Sequence, residues 1–480
     1  MSTSEYQKYI SPLSQRYPSK EMQYLFSQEK KFRTWRRLWI ALAEAEKELG
    51  LPIDEAQIQE MIQHQEDINY QVAEEKEREI RHDVMAHVYA YGVQCPLAKP
   101  IMHWGATSCY VGDNTDLLVM KEGLDLLVGK VVNVVDYLSR FAMEYRELPT
   151  LGFTHFQPAQ PVTVGKRATL WIQDLLMDLQ ELEAMRDGLL LLGSKGTTGT
   201  QASFYELFQG DEEKVRKLDQ LISQKMDMPG VVPVSGQTYS RKIDARVLQV
   251  LAGIAMSAHK FANDIRLLAH LKEVEEPFEE NQVGSSAMAY KRNPMRSERM
   301  TGLARHVMTL TIDGQWTAAS QWLERTLDDS SNKRISISEG FLTTDAILEL
   351  YMNVASGLVV YPKVMEKHLL EELPFMATEN LMMEAVKRGK DRQELHERIR
   401  VHSMAAAQVV KEQGGENDLL RRLSQDPAFG MSLEEMETMM APEKFVGMAP
   451  QQTQRYIQEE VMPLLKKYEE RLGQWGQVQV

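Results

Sequence analysis

The chain has 480 residues, 43% of them hydrophobic, with two cysteines and a formal net charge of -14. The length allows about three domains of roughly 150 residues, and the acidity argues against nucleic acid or an anionic membrane held by bulk charge. Two cysteines, Cys95 and Cys109, make no disulfide framework, the start MSTSEYQKYISPLSQRY lacks the apolar core of a signal peptide, and no apolar run reaches about 18 residues, so a cytoplasmic protein without a membrane span is expected.

The first informative segments are SQRY, with Arg16 and Tyr17, and IRHDVMAH at 80–87. In the second, Asp83 is placed to orient His82; the plainer reading is a solvated helix face. In HWGATSCYVGDN (103–114), the stretch GATS offers hydroxyls and backbone amides to an anion on a small scale. Leu117, Met120, Leu124, Leu127, Val131, Val134, Leu138 and Phe141 then recur three and four apart, which predicts a bundle helix roughly 45 Å long. Asp113 or Asn114 is its candidate cap and Pro149 limits its end.

In LGFTHFQPAQP (151–161), Pro158 and Pro161 stiffen the chain around His155. A rigidly held histidine is a candidate proton donor; the plainer reading is a histidine hydrogen-bonded within a turn. The helical spacing returns in Ala168, Ile172, Leu175, Leu179, Leu182 and Leu189. GSKGTTGTQAS (193–203) has the makings of an anion-holding nest, though it lacks the lysine and spacing of a P-loop. SGQTYSRK (235–242) leads into another apolar seam, Ile243, Val247, Leu251, Ile254, Phe261, Ile265 and Leu268.

GSSAMAYKRNP (284–294) packs small and polar groups into one glycine-led loop. A serine hydroxyl becomes a useful base only when its alkoxide is stabilised, and Lys291 is placed to supply that charge or to stabilise a carboxylate or enolate. Asn293 adds a donor; the plainer reading is a flexible surface loop with a helix starting at Asn293-Pro294. Helical stretches follow at about 296–320 and 335–360. Between them ERTLDDSSNKR carries Arg325, Ser330 and Arg334, suited to carboxylate or phosphate, or merely paired charges on a surface linker. No convincing alternation predicts strands, no fixed-period repeat occurs, no G-x-G-x-x-G marks a dinucleotide site, and no histidine has metal-ligand spacing. The fold class expected is all-α, with a long central bundle over 108–360 between smaller helical domains at 1–107 and 361–480. Seams this long favour a bundle core shared between copies of the chain.

Gly284, Ser285, Met288, Lys291 and Asn293 match the G-S-x-x-M-x-x-K-x-N pattern of the fumarase/aspartase superfamily. SQRY, IRHDVMAH, GATSCYVGDNTDL, GFTHFQPAQP, KGTTGTQASF, SGQTYSRK, YKRNPMRSER and ERTLDDSSNKR, in that order, resemble the animal-type adenylosuccinate lyases within it. Ala289 departs from the family, where proline is expected. The resemblance implies a homotetramer with each site assembled from loops of three subunits, and cofactor-free elimination of fumarate from adenylosuccinate, giving AMP, and from SAICAR, giving AICAR. It assigns Ser285 as base, His155 as acid, Lys291 and Asn293 to charge stabilisation, and His82 beside the substrate. It assigns substrate contacts to Arg16, Tyr17, Arg81, Asp83, Thr107, Ser108, Gln237, Arg299, Arg325, Ser330 and Arg334. The rival readings are another lyase of the superfamily, such as one acting on argininosuccinate, aspartate or malate, and a non-catalytic protein derived from such an enzyme.

Overall fold

The computed structural model describes residues 7–279, 282, 287–288, 290–474 and 476. Its centre is five long helices: α4 (Ser108–Glu144), α5 (Val164–Gly188), α6 (Lys242–His270), α7 (Met295–Ala319) and α8 (Asp328–Ser356). Before them come α1 (Gln28–Glu48), α2 (Tyr70–Ile80) and α3 (Asp83–Gln94). The seam residues Leu117, Leu124, Leu127, Val131, Val134 and Leu138 of α4 are all fully buried. At 37 residues, α4 is roughly 55 Å long.

The first bundle helix begins earlier than its expected cap. Thr107 is the N-cap of α4, while Asp113 and Asn114 lie inside the helix with buried side chains turned to other work. Asn114 donates to the Tyr110 and Gly193 carbonyls and accepts from the Gly193 amide, and Asp113 accepts from the Tyr239 amide. Their polar atoms are satisfied by a neighbouring loop, so they have no need to end a helix. IRHDVMAH is likewise mostly helix, from Asp83 onward.

The expectation of no strands fails at four short ones among the described residues. β1 (Pro149–Thr154) and β2 (Gln157–Thr163) form an antiparallel hairpin, pairing Leu151 with Pro161 and Thr154 with Gln157. β3 (Val274–Glu275) pairs with β4 (Val359–Val360) where α6 and α8 end. Pro158 and Pro161 break the apolar–polar alternation by which a strand is recognised, yet both are tolerated on a two-stranded ribbon.

Contacts between the helix ends fix their directions. The Gly165 amide donates to the Tyr145 carbonyl, joining the start of α5 to the end of α4. Thr317 donates to Asn332, joining the end of α7 to the start of α8. The Tyr361 amide donates to the Glu273 carbonyl beyond the ends of α8 and α6. One end of the bundle therefore gathers the starts of α4, α6 and α8, and the other gathers their ends with the starts of α5 and α7. Within the bundle, buried Lys130 of α4 donates to Glu349 at 2.6 Å and to Asp345 of α8. A second apolar core, from Leu373 through Leu395 and Leu423 to Met440, is separate from the first. Beyond it, Ile457, Val461 and Leu465 return to the main core.

Candidate active site

At the end where α4, α6 and α8 begin lies a cavity of about 540 Å³, within the usual range for a small-molecule site. Arg81, His82, Asp83, Ser108, Gln237, Arg325, Ser330 and Arg334 all line it. Arg81 caps α2 in the left-handed region at φ 56°, a conformation that costs a non-glycine residue of order 1 kcal/mol. It turns the chain so that His82 caps α3, accepting the Met85 amide on Nδ1 at 3.3 Å. In the neutral ring Nε2 then carries the proton and faces Ser108 Oγ, 3.3 Å away. Asp83 does not orient this ring: its carboxylate is 3.9 Å from Nδ1, accepts the Val84 amide and lies 3.8 Å from Arg334.

Three loops close the cavity through their backbones. The Gln237 amide donates to the Glu324 carbonyl, and a Cβ on neighbouring Gly236 would come within 2.5 Å of that oxygen. Gln237 Nε2 donates to the Thr197 carbonyl at 3.1 Å, and Cys109 Sγ lies 3.6 Å from Oε1. Burial pushes the Cys109 thiol up to about 11, so it meets the cavity as a neutral donor. In the 193–203 loop Lys195 pairs with buried Asp219 at 2.6 Å and serves the loop's own structure.

Beneath the cavity lies a buried ionic network. Arg241 donates to Asp329 at 2.5 Å and to Asp113 at 3.1 Å, clasping α8 to α4. It lies over the Tyr239 ring, whose hydroxyl donates to Asp244 at 2.7 Å; burial raises that carboxyl to about 6. Lys333 pairs with Asp116. Arg325 donates to Asp329 at 3.2 Å, so the network fixes one cavity arginine from below.

The remaining expected residues lie elsewhere. His155 and Phe156 form the two-residue turn of the β1–β2 hairpin, exposed, with φ 53° and 57°. A hairpin turn with both φ positive usually takes Asn-Gly, so this one holds an imidazole outward at a conformational cost. The hairpin follows the end of α4, and Ser108 starts that helix, so roughly 55 Å of helix separates His155 from the cavity within one chain. Lys291 and Asn293 precede α7 at the hairpin's end of the bundle, and Arg299 lies in the second turn of that helix, its guanidinium over Tyr17 at 5.3 Å; Arg16 is the exposed neighbour of Tyr17. Thr107 caps α4 beside Ser108. Ser285 and Ala289 lie outside the described residues. Among the described residues before α7, Glu276 accepts the Arg296 and Ser297 amides at 3.0 and 2.9 Å.

A family model described as "Lyase" matches residues 17–309, and another described as "Adenylosuccinate lyase C-terminus" matches 374–456. The adenylosuccinate lyase of Saccharomyces cerevisiae is 54% identical over 473 residues, 98% of each chain. That of Schistosoma mansoni is 46% identical over 471 residues, again 98% of each. The chain belongs to the adenylosuccinate lyase family. In fold it is also similar to 3-carboxy-cis,cis-muconate lactonizing enzyme from Pseudomonas putida, with TM-score 0.80 at 22% identity, over 93% of this chain and 98% of that one.

For a member of the adenylosuccinate lyase family, the cavity holds residues that sequence reasoning passed over. Arg241, Lys333 and Cys109 stood inside quoted motifs, but nothing in the order of letters distinguishes a buried clasp from a surface charge. Lys31 lies in an amphipathic stretch outside every motif and still lines the cavity.

Proposed function

We propose that this protein is a carbon–nitrogen lyase that releases fumarate from adenylosuccinate, leaving AMP, and from SAICAR, leaving AICAR. The observation that carries the reading is the cavity: seven of the substrate contacts implied by the family pattern, together with His82, come from four separate stretches of chain and line one space. A proton leaves the carbon beside a carboxylate, its electron pair forms the new double bond, and the C–N bond breaks as the amine takes a proton. Ser285 acts as the base and His155 as the acid. Lys291 and Asn293 stabilise the doubly charged intermediate, usually the largest catalytic contribution, and His82 and Ser108 hold the substrate.

The work is shared among chains of a homotetramer. His82 and His155 stand at opposite ends of a helix far longer than the substrate, so a site using both takes them from different subunits, and a third chain supplies the segment containing Lys291. The two unpaired cysteines suit the cytoplasmic setting of this proposal. Fumarate release from each purine substrate tests the activity: turnover is expected with both, and abolished in Ser285→Ala with the helical far-UV signal unchanged. Wild-type protein that releases fumarate only from argininosuccinate, aspartate or malate, or from nothing, overturns the reading.

A further inference from the structure

Lys31 sits half-buried in the first turn of α1, its ammonium 4.8 Å from the Trp35 ring centroid and 5.4 Å from that of Phe32. It opens onto the cavity beside Arg81, Asp83 and Arg334, and among the described residues its ammonium has no ion-pair partner. Six cationic side chains line the space against three carboxylates, Asp83, Asp113 and Asp116. Arg241 and Lys333 are taken up by Asp113, Asp116 and the Asp329 beneath. Arg325 is also held in part by Asp329, and Lys31, Arg81 and Arg334 face the cavity with Asp83, 3.8 Å from Arg334, as the remaining lining carboxylate.

We propose that Lys31 is a substrate-binding residue that takes the phosphate monoester of the nucleotide together with Arg334. The assignment rests on the nucleotide reading of this site given above. Burial, and after it the Arg334 guanidinium, push the Lys31 pKa down, against Asp83, Asp116 and Glu77, which pull it up. Two cations lining one cavity, with Asp83 as the carboxylate left beside them, suit a compact anion. A phosphate monoester brings a charge of about -1.5 to -2 and three acceptor oxygens to a single point, where one carboxylate brings less and the two of a succinyl group are spread apart. The aromatic rings under the lysine stem hold its ammonium at the cavity wall.

Calorimetric titration of the full-length protein with AMP, adenosine, inorganic phosphate and fumarate tests this in wild type, Lys31→Met and Lys31→Arg. Loss of one charge-assisted hydrogen bond predicts that Lys31→Met binds AMP and phosphate about 10- to 100-fold more weakly, with adenosine and fumarate unchanged and Lys31→Arg recovering part of the loss. Unchanged AMP and phosphate affinity, or a loss confined to fumarate, overturns the assignment. Should Lys31→Met fail to fold, reductive methylation of the wild type decides: saturating phosphate is expected to protect Lys31, and undiminished labelling overturns it. Phosphate binding requires no turnover. A wild type that binds phosphate through Lys31 yet releases no fumarate therefore sinks the proposed activity alone, and active enzyme indifferent to Lys31 sinks this inference alone.

Discussion

Glu46 lies on the inner face of α1, fully buried, with neither carboxylate oxygen hydrogen-bonded among the described residues. Burial alone pushes its pKa up to about 9, so the folded chain keeps a proton that the unfolded chain releases near 4.5. Stability is therefore lost as pH rises from about 4.5 to about 9, a cost on the order of 3 kcal/mol at neutral pH. Glu46→Met is expected to melt above the wild type at pH 8, with the gap closing towards pH 4; an equal gap at both would show that Glu46 stays charged inside the fold. His155 raises the opposite problem, an exposed group whose backbone is the constrained part. Asparagine tolerates the left-handed region, so His155→Asn keeps the turn and removes the imidazole. Turnover is expected to fall at least about 100-fold with the melting temperature unchanged. Lost stability with retained turnover would make His155 a turn residue only.

Among the elements, α4 and α5 meet most closely where the hairpin leaves and returns. A Cβ on Gly165 would lie 2.2 Å from the Ala142 carbonyl oxygen and 2.6 Å from Arg146 Cα, and backbone cannot yield as a side-chain tip does. Gly165→Ala is expected to destabilise the protein by on the order of 3 kcal/mol, read by chemical denaturation. At the other end of α5, a Cβ on Gly188 meets nothing within 4 Å, and Gly188→Ala is expected to be neutral or stabilising by up to about 1 kcal/mol. Equal effects at both positions would mean that the close crossing is not there. The long seams made these helices legible: the apolar spacing over 117–141 lies inside α4, and that over 243–268 inside α6. The hairpin was not legible, because its prolines erase the alternation and its pairing is made across the turn that carries His155.

For the molecule as a whole, the distance between the cavity and the hairpin shapes what the protein does. If the sites are shared between subunits as proposed, mixing two inactive variants, His82→Asn and His155→Asn, by joint refolding or co-expression is expected to restore a measurable part of the fumarate-releasing activity, since some sites in the mixed oligomers then draw both histidines intact. Mixtures that stay as inactive as their parents, although light scattering shows mixed oligomers, would place both histidines in one chain's site.

Sequence alone determined the helical character, because a 3.6-residue apolar period needs no partner to be read. It also determined which small, polar and basic residues were candidates, because they stand in loops where neither core nor turn requires them. Tertiary structure alone decided how they divide. Arg81, His82, Ser108, Gln237, Arg325, Ser330 and Arg334 converge on one cavity, while His155, Lys291 and Arg299 lie at the far end of the bundle. Convergence depends on where helices start and stop relative to one another, information carried by contacts such as Arg241 with Asp113 and Asp329 between residues far apart in the chain. The same contacts separate charges spent on the fold from those left facing the cavity, and so brought Lys31 into view.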